Sequence, residues 1–432
     1  MAGELTTAGR PDDAAERALG LIEGGARLVL VHGGAGTGKT TFLHALRKHD
    51  DRRQVFVAPT GVAALNVGGQ TIHSFFGLPP RLVGRDEIRP RPFARRLMRK
   101  LDRLVVDEVS MARADLVDAM DLSLRIARGR DEPFGGVQVV LVGDFLQLAP
   151  VVPMAEQQIL ASLGYEGPYA FHARVLAEAR MAGVAFTTVH RQSDPVFVRW
   201  LDRLRRGEDV EAAVEAINDA CVRPHRDGRE PVLLAGTNAR VDAYNAAGMA
   251  QLPAREQGYL GTSAGEFGLD GDRLPVPERL ALKVGARVMS VRNDIARRYV
   301  NGSTGTVVGL GDAGARVRFD NGIEMEVEAE TWERIRYAVD EASERIEAKV
   351  VGSYTQLPLV PAWAVTIHKA QGLTLEDVRI DLGSGAFAPG QSYVALSRAR
   401  SLAGLSLVRP LKARDIRVDP RVVAFVEDLE RG

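Results

Sequence analysis

The stretch from Val29 to Phe42, VLVHGGAGTGKTTF, constrains this chain more than any other. An apolar run, Leu28 to Val31, meets a glycine-rich loop that runs into Thr40, Thr41 and Phe42. Gly33–Thr40 fits G-x-x-x-x-G-K-[ST] at every fixed position. Gly33, Gly34, Gly36 and Gly38, with Ala35 and Thr37 between them, let backbone N–H groups turn inward around a chain of phosphates. Lys39 is placed to reach the β- and γ-phosphates, and the Thr40 hydroxyl to hold Mg²⁺, with Thr41 beside it. The helical pattern that follows (Phe42, Leu43, Leu46) turns its positive end to the same anion. The motif therefore reads as a nucleoside triphosphate site with a strand before it and a helix after it.

The rest of the composition narrows the class. A length of 432 residues allows two to four domains, and 45% apolar with 26% charged residues is ordinary for a globular protein. The formal net charge is zero, so nucleic-acid binding would have to come from local patches. Cys221 is the only cysteine, which excludes an intrachain disulfide and a cysteine-based metal cluster and suits a reducing cytoplasm. No apolar run reaches membrane-spanning length and no leader pattern is expected at the N-terminus.

Apolar runs at Leu28–His32, Gln54–Ala58, Leu104–Val106 and Val137–Val142 alternate with helical patterns, which predicts a doubly wound parallel sheet. Phosphate chemistry then belongs at the carboxyl ends of the strands. Asp107 and Glu108 end the third run. Downstream of a phosphate loop, the first carboxylate suits Mg²⁺ and the second suits polarising an attacking water. Gly143–Leu148 ends the fourth run and offers Gln147 to the same place. Pro59-Thr60-Gly61 and the later Gly69–Phe76 supply a polar turn and aromatic residues. His73, Phe75 and Phe76 either stack on bases or form a core aromatic pair, and the residues alone favour the core. From Arg81 to Lys100 the chain has its most basic window.

His190-Arg191-Gln192 precedes another helical pattern, and Arg191 is either a phosphate-reaching arginine or a paired helix-start residue. Val232–Ala235 predicts a strand followed by Gly236-Thr237-Asn238 and a helix. From about Gln251 short alternating runs predict an antiparallel β module, with Asp320-Asn321-Gly322 as a hairpin turn. The α/β pattern resumes near Trp363 with Ala364–Thr374, the strand Val378–Leu382, the helix Gln391–Arg400 carrying Arg398, and the strand Leu405–Val408.

These blocks, in this order, resemble superfamily 1B helicases, and most of all the PIF-one family and its RecD-like relatives. The matching segments are Ala58–Pro79, Val105–Met111, Pro133–Val151, His190–Gly207, Val284–Asp294, Tyr299–Val307, Ala364–Leu375 and Tyr393–Ala399. The Val105–Met111 block, the Asp115–Arg130 helix and Pro133–Gly136 resemble that family's own signature. The resemblance implies two RecA-like domains clamping ATP: residues 1–189, with a small wedge insertion at about 77–96, and residues 190–250 with 355–432. It implies an SH3-like β-barrel insertion at 251–354. It implies roles for Lys39 and Thr40 on phosphates and Mg²⁺, Asp107 on Mg²⁺, Glu108 on water, Gln147 on the γ-phosphate, and Arg191 and Arg398 as arginine fingers. Single-stranded DNA would contact Thr60, Gly61, His73, Ser74 and Phe75 on one side and Thr237, Asn238, Thr366, His368 and Lys369 on the other. The implied protein is an ATP-driven DNA helicase moving 5′ to 3′, a monomeric motor acting at single-stranded DNA and its duplex junctions, cytoplasmic and away from membranes. The other readings are a RecD-like subunit of a larger DNA-processing complex and a P-loop ATPase that does not translocate. The family's adenine-reading glutamine has no counterpart in Arg10–Leu19, so adenine specificity is open.

Overall fold

The computed structural model describes residues 13–192, 194–221, 231–267, 274–294, 296, 298–340 and 345–431. The chain forms two compact units. The first holds residues up to His190, then Arg334–Val350 and Pro420–Gly432, and the second holds Arg191–Glu333 and Val351–Asp419.

The first unit is built on a parallel sheet of β1 (Leu28–Gly33), β2 (Gln54–Ala58), β3 (Gln70–Thr71), β4 (Arg103–Val106), β5 (Gln138–Gly143) and β6 (Met181–Phe186). Their order across the sheet is β3-β2-β4-β5-β1-β6, and every pair is parallel. Alternation along the strands feeds two cores. Leu28, Leu30, Leu104, Val106, Val139 and Leu141 face one side, where the helices Pro92–Lys100 and Ala114–Arg128 pack. Val29, Val31, Val105, Val140 and Val142 face the other, against Phe42, Leu43 and Leu46 of the helix Lys39–His49 and Ala14, Ala18 and Ile22 of the helix Asp13–Glu23. A sheet apolar on both faces must be covered on both, which is why its strands read as continuous apolar runs. The expected doubly wound α/β architecture is therefore present. β3 and β6 carry little such signal. β3 has two residues, and β6 is an edge strand rich in alanine and glycine in which only Val184 and Phe186 are buried.

The second unit contains a parallel sheet ordered Ala364–Thr366, Val232–Ala235, Val378–Asp381, Leu405–Leu407. It also contains an antiparallel sheet ordered Glu324–Glu328, Gly314–Phe319, Thr304–Leu310, Arg287–Ser290, Leu359–Pro361. The hairpin at Asp320-Asn321-Gly322 forms where the sequence places it: Gly322 has φ +88° and the Phe319 N–H donates to the Ile323 carbonyl at 2.8 Å.

The compact units divide the chain differently from the expected bounds in two places. The helix Pro420–Arg431 belongs to the first unit, because Val422 and Val426 enter its core and Phe425 stacks on Phe171 with ring centroids 4.3 Å apart. Residues 334–350, inside the expected insertion, also belong to the first unit. There the Tyr337 hydroxyl accepts the Phe56 N–H at 3.3 Å and the Tyr337 ring meets Phe75. The helix Pro92–Lys100 begins inside the expected wedge span and, just beyond it, sinks Leu97 and Met98 into the core.

Below the sheet, at the amino end of β4, the fully buried Arg103 bonds Asp50 Oδ2 at 3.0 Å, Gln54 Oε1 at 3.2 Å and Gln138 Oε1 at 2.9 Å. Gln138 Nε2 in turn donates to the Ile22 and Ala26 carbonyls at 2.8 and 2.9 Å. Burial pushes the Asp50 carboxyl up, but the Arg103 hydrogen bond, the Arg52 amide and the two guanidinium charges outweigh it and hold it below its ordinary 3.8. Replacing Arg103 by methionine removes a donor from Asp50, Gln54 and the buried Gln138, so Arg103→Met lowers unfolding stability by about 2–3 kcal/mol in denaturant titrations at neutral pH. A carboxylate with a depressed folded pKa stabilises above its unfolded pKa and loses that contribution as pH falls through the folded value. The gap between wild type and Arg103→Met therefore narrows in acid, below about pH 4.

Candidate nucleotide and nucleic-acid site

Three neighbouring strands, β4, β5 and β1, bring their carboxyl ends together. β1 ends at Gly33, where a Cβ would lie 2.3 Å from the Phe186 carbonyl oxygen of β6, so no side chain fits. The loop then curls back on itself. Gly38 takes φ +89° and caps the helix Lys39–His49, and the Thr37 hydroxyl donates to the Gly34 carbonyl at 3.0 Å. Lys39 Nζ donates to the Gly33 and Gly34 carbonyls at 2.7 and 2.8 Å. Thr40 and Thr41 stand exposed at the helix start. This is the concave, amide-lined shape the motif predicts.

β4 delivers Asp107 and Glu108. Asp107 N–H continues the sheet ladder to the Val57 carbonyl at 2.9 Å, and its Oδ1 accepts the Glu108 N–H at 2.9 Å. Glu108 itself sits at φ 50°, ψ 41°, a left-handed conformation that costs energy outside glycine and is retained where the surroundings demand it. Burial, with the Glu108 charge adding to it, pushes the Asp107 carboxyl well above the carboxylate range, and the Lys39 charge counters only part of this. Two adjacent carboxylates at a phosphate loop form the hard oxygen donor set that a divalent cation takes. β5 ends at Gly143. Beyond it the buried Asp144 accepts Gln147 Nε2 at 2.9 Å and the Leu146 N–H at 3.1 Å, which fixes the Gln147 side chain. Lys39, Asp107, Glu108 and Gln147 are thus gathered at one edge of one sheet.

Further along that edge, Thr60 caps the helix Gly61–Asn66 by accepting the Ala63 N–H at 3.2 Å, leaving Gly61 exposed. Ser74 is exposed and His73 half-buried. Burial, then the Arg113 charge, lowers the His73 pKa against the opposing Asp115, so the ring is neutral at neutral pH. Phe75 does not join this surface, which corrects the expectation that it contacts DNA. It is 4% exposed and packs edge-on against Phe76 at 4.8 Å and Tyr337 at 6.3 Å. An apolar ring beside another on a helix turn is drawn into the core, as the residues alone suggested.

In the second unit Thr237 and Asn238 are exposed at the start of the helix Asn238–Gln251, and Lys369 is exposed with His368 half-buried. Thr366 is buried, and its hydroxyl accepts the Lys369 N–H at 3.2 Å. Its role in the structure is to shape the turn that holds Lys369 out. Arg191 donates to the Gly372 carbonyl at 3.2 Å and the Ser397 carbonyl at 3.5 Å. Arg398 is 1% exposed, beyond the end of the short helix Gln391–Leu396. Its Nε donates to the Val394 carbonyl at 2.9 Å, Nη1 to the Ala370 and Leu373 carbonyls at 3.4 and 3.3 Å, and Nη2 to Ser397 Oγ at 2.8 Å. The sequence reading presents Arg398 as a finger; the structure places it as a brace between the Gln391–Leu396 helix and the loop after Thr366.

Sequence reasoning missed several supports. His190 donates its N–H to the Gly36 carbonyl at 2.8 Å, and its ring would lie 3.7 Å from a Cβ on Gly38. Gln192 ties to the Ser397 and Ala399 carbonyls at 3.0 and 3.2 Å. The dense polar triplet His190-Arg191-Gln192 is the signal that the sequence offers for them. Of the stretch searched for an adenine-reading glutamine, Asp13–Leu19 is helical and Arg10–Asp12 lies outside the described residues.

Comparison with known proteins matches this layout. The PIF1-like helicase family profile matches residues 18–215. The ATP-dependent DNA helicase Pif1 of Bdellovibrio bacteriovorus is 34% identical over 421 residues, covering 96% of this chain and 91% of that protein. The chain belongs to the PIF1-like helicase family. Human ATP-dependent DNA helicase PIF1 is 35% identical over 414 residues, which cover 93% of this chain, and the chain spans 61% of that relative's length. Two crystal structures of a Bacteroides Pif1 share the fold. The complex with ADP-AlF4 has 33% identity, TM-score 0.90 and 98% coverage of both chains, and the one bound to ssDNA has 34% identity, TM-score 0.71 and the same coverage. The family's RecA-like architecture is thus the architecture of this chain.

The brace at Arg398 has a measurable consequence. Arg398→Ala leaves the Val394, Ala370 and Leu373 carbonyls without this donor in a buried setting, and unfolding stability falls by about 3 kcal/mol in the absence of nucleotide. An arginine waiting only for a phosphate would leave the stability of the nucleotide-free protein unchanged.

Proposed function

We propose that this chain is an ATP-dependent DNA helicase that moves 5′ to 3′ along single-stranded DNA and unwinds duplex as a monomer. The observation that carries the reading is the convergence of Lys39, Asp107, Glu108 and Gln147 at the carboxyl ends of three adjacent strands, in a chain belonging to a helicase family. The ADP-AlF4 and ssDNA complexes of the Bacteroides relative support ATP as substrate and single-stranded DNA as partner.

In this reading the phosphate-loop amides and Lys39 grip the β- and γ-phosphates. Glu108 takes a proton from the attacking water and Gln147 orients it. The donor set fits Mg²⁺: Thr40 offers an exposed hydroxyl, and Asp107 a buried carboxylate whose charge Lys39 compensates only in part. Among the described residues no cluster of three acidic, histidine or cysteine side chains would build a dedicated cage, which suits a cation shared with phosphates and water. Bound there, Mg²⁺ supplies charge neutralisation on the phosphate oxygens. Arg191 senses the γ-phosphate, and Thr60, Gly61, His73, Ser74, Thr237, Asn238, His368 and Lys369 contact the tracked strand, so hydrolysis alternates the grip on DNA.

ATP hydrolysis with and without single-stranded DNA tests this directly. DNA stimulates turnover strongly. Glu108→Gln lowers turnover about 10²- to 10⁴-fold, and Arg191→Ala about 10³-fold. Duplexes with a 5′ single-stranded tail are unwound and those with a 3′ tail are not. Turnover that ignores DNA and survives Arg191→Ala overturns the motor reading. DNA-stimulated turnover without unwinding by the isolated chain assigns it to a subunit role.

A further inference from the structure

In the second unit's parallel sheet the strands Ala364–Thr366, Val232–Ala235 and Val378–Asp381 lie side by side. Their carboxyl ends open into three neighbouring loops across a width of about 10 Å. The first two carry Lys369 and Thr237-Asn238. The third carries Phe387, whose side chain no sequence motif singled out and which is 54% exposed. Its ring lies against Gly236: a Cβ there would be 3.5 Å from Phe387 Cε1 and 3.5 Å from Gln391 Nε2.

An exposed phenylalanine on a loose loop would mean little. This loop is pinned. The Phe387 N–H donates to Gln391 Oε1 at 3.0 Å, and the Arg417 guanidinium donates to the Phe387 carbonyl at 3.3 Å. The Gly390 N–H donates to the Arg417 carbonyl at 2.9 Å, and Arg409 Nε to the Gly383 carbonyl at 2.8 Å. Arg409 is itself locked to the buried Asp415 at 2.7 Å. Gln391 is 1% exposed, and its Nε2 has no hydrogen-bond partner among the described residues although it lies against Gly236 at the head of the helix Asn238–Gln251. The surroundings carry the exposed cations Lys369 and Arg417, and Arg240, which pairs with the buried Asp381 at 2.6 Å; residues 236–240, 366–370 and 383–390 include no acidic residue. A rigid aromatic face beside cations and a helix N-terminus is the combination that binds a base with its phosphate.

We infer that Phe387 is a stacking platform for a base of single-stranded nucleic acid, one loop beyond Thr237-Asn238. This deepens the proposed DNA reading and rests on it. Base stacking on an aromatic side chain is indifferent to sequence, as a translocating protein requires, while the neighbouring cations take the flanking phosphates.

The test measures binding of the full chain to oligo-dT and to an abasic oligonucleotide of equal length, by anisotropy across a salt series. Phe387→Ala weakens oligo-dT binding about tenfold and leaves abasic binding and the salt slope unchanged. Phe387→Tyr retains wild-type affinity, and Phe387→Trp adds fluorescence quenched by oligo-dT. Wild-type oligo-dT affinity in Phe387→Ala, or equal loss on both oligonucleotides, overturns the stacking role while the DNA reading stands. A wild-type chain that binds neither oligonucleotide removes the DNA reading and this inference together.

Discussion

β1 is hydrogen-bonded on both sides, to β5 and β6, and at its last residue the backbones pack so closely that a Cβ on Gly33 would lie 2.3 Å from the Phe186 carbonyl oxygen. The phosphate loop departs from this contact, and its shape depends on it. With Gly33 held, Thr37 and Lys39 close the curl onto the Gly33 and Gly34 carbonyls, and His190, four residues beyond the end of β6, clamps Gly36. β5 on the other flank carries Asp144 and Gln147, and β4 beside it carries Asp107 and Glu108. Parallel pairing fixes the registers, so one packed junction sets where four side chains from three strands meet.

The polar groups around these ends work in pairs, one reactive and one holding. Asp144 holds Gln147, and the Asp107 carboxylate receives the Glu108 amide in a strained turn. In the second unit Thr366 holds the Lys369 turn, Gln192 and Arg191 tie to carbonyls near Ser397, and Arg398 braces two loops from a buried position. Side chains aligned in this way lose little freedom when a ligand arrives, which is the physical advantage of a preorganised site.

Much of this was legible in the sequence. The phosphate loop, the Asp-Glu pair at a strand end, the four main strands of the first sheet and the Asp-Asn-Gly hairpin are local signals, set by residues adjacent in the chain. β3 and β6 were not legible, being too short or too weakly apolar to stand out. Phe75 was ambiguous because an aromatic residue at a helix turn has the same local signature whether it faces a base or a core.

The sequence by itself determined what chemistry the chain can do, because backbone curvature at glycines and the donor types at strand ends are properties of neighbouring residues. The tertiary structure alone decided which groups are presented and which are enclosed. It buried Phe75 against Tyr337, a residue 262 positions later in the sequence. It returned the final helix to the first unit, where Phe425 stacks on Phe171, and it wrapped Arg398 in carbonyls while leaving Phe387 open. The reason is that burial is set by what packs opposite a side chain, and those partners are distant in the chain.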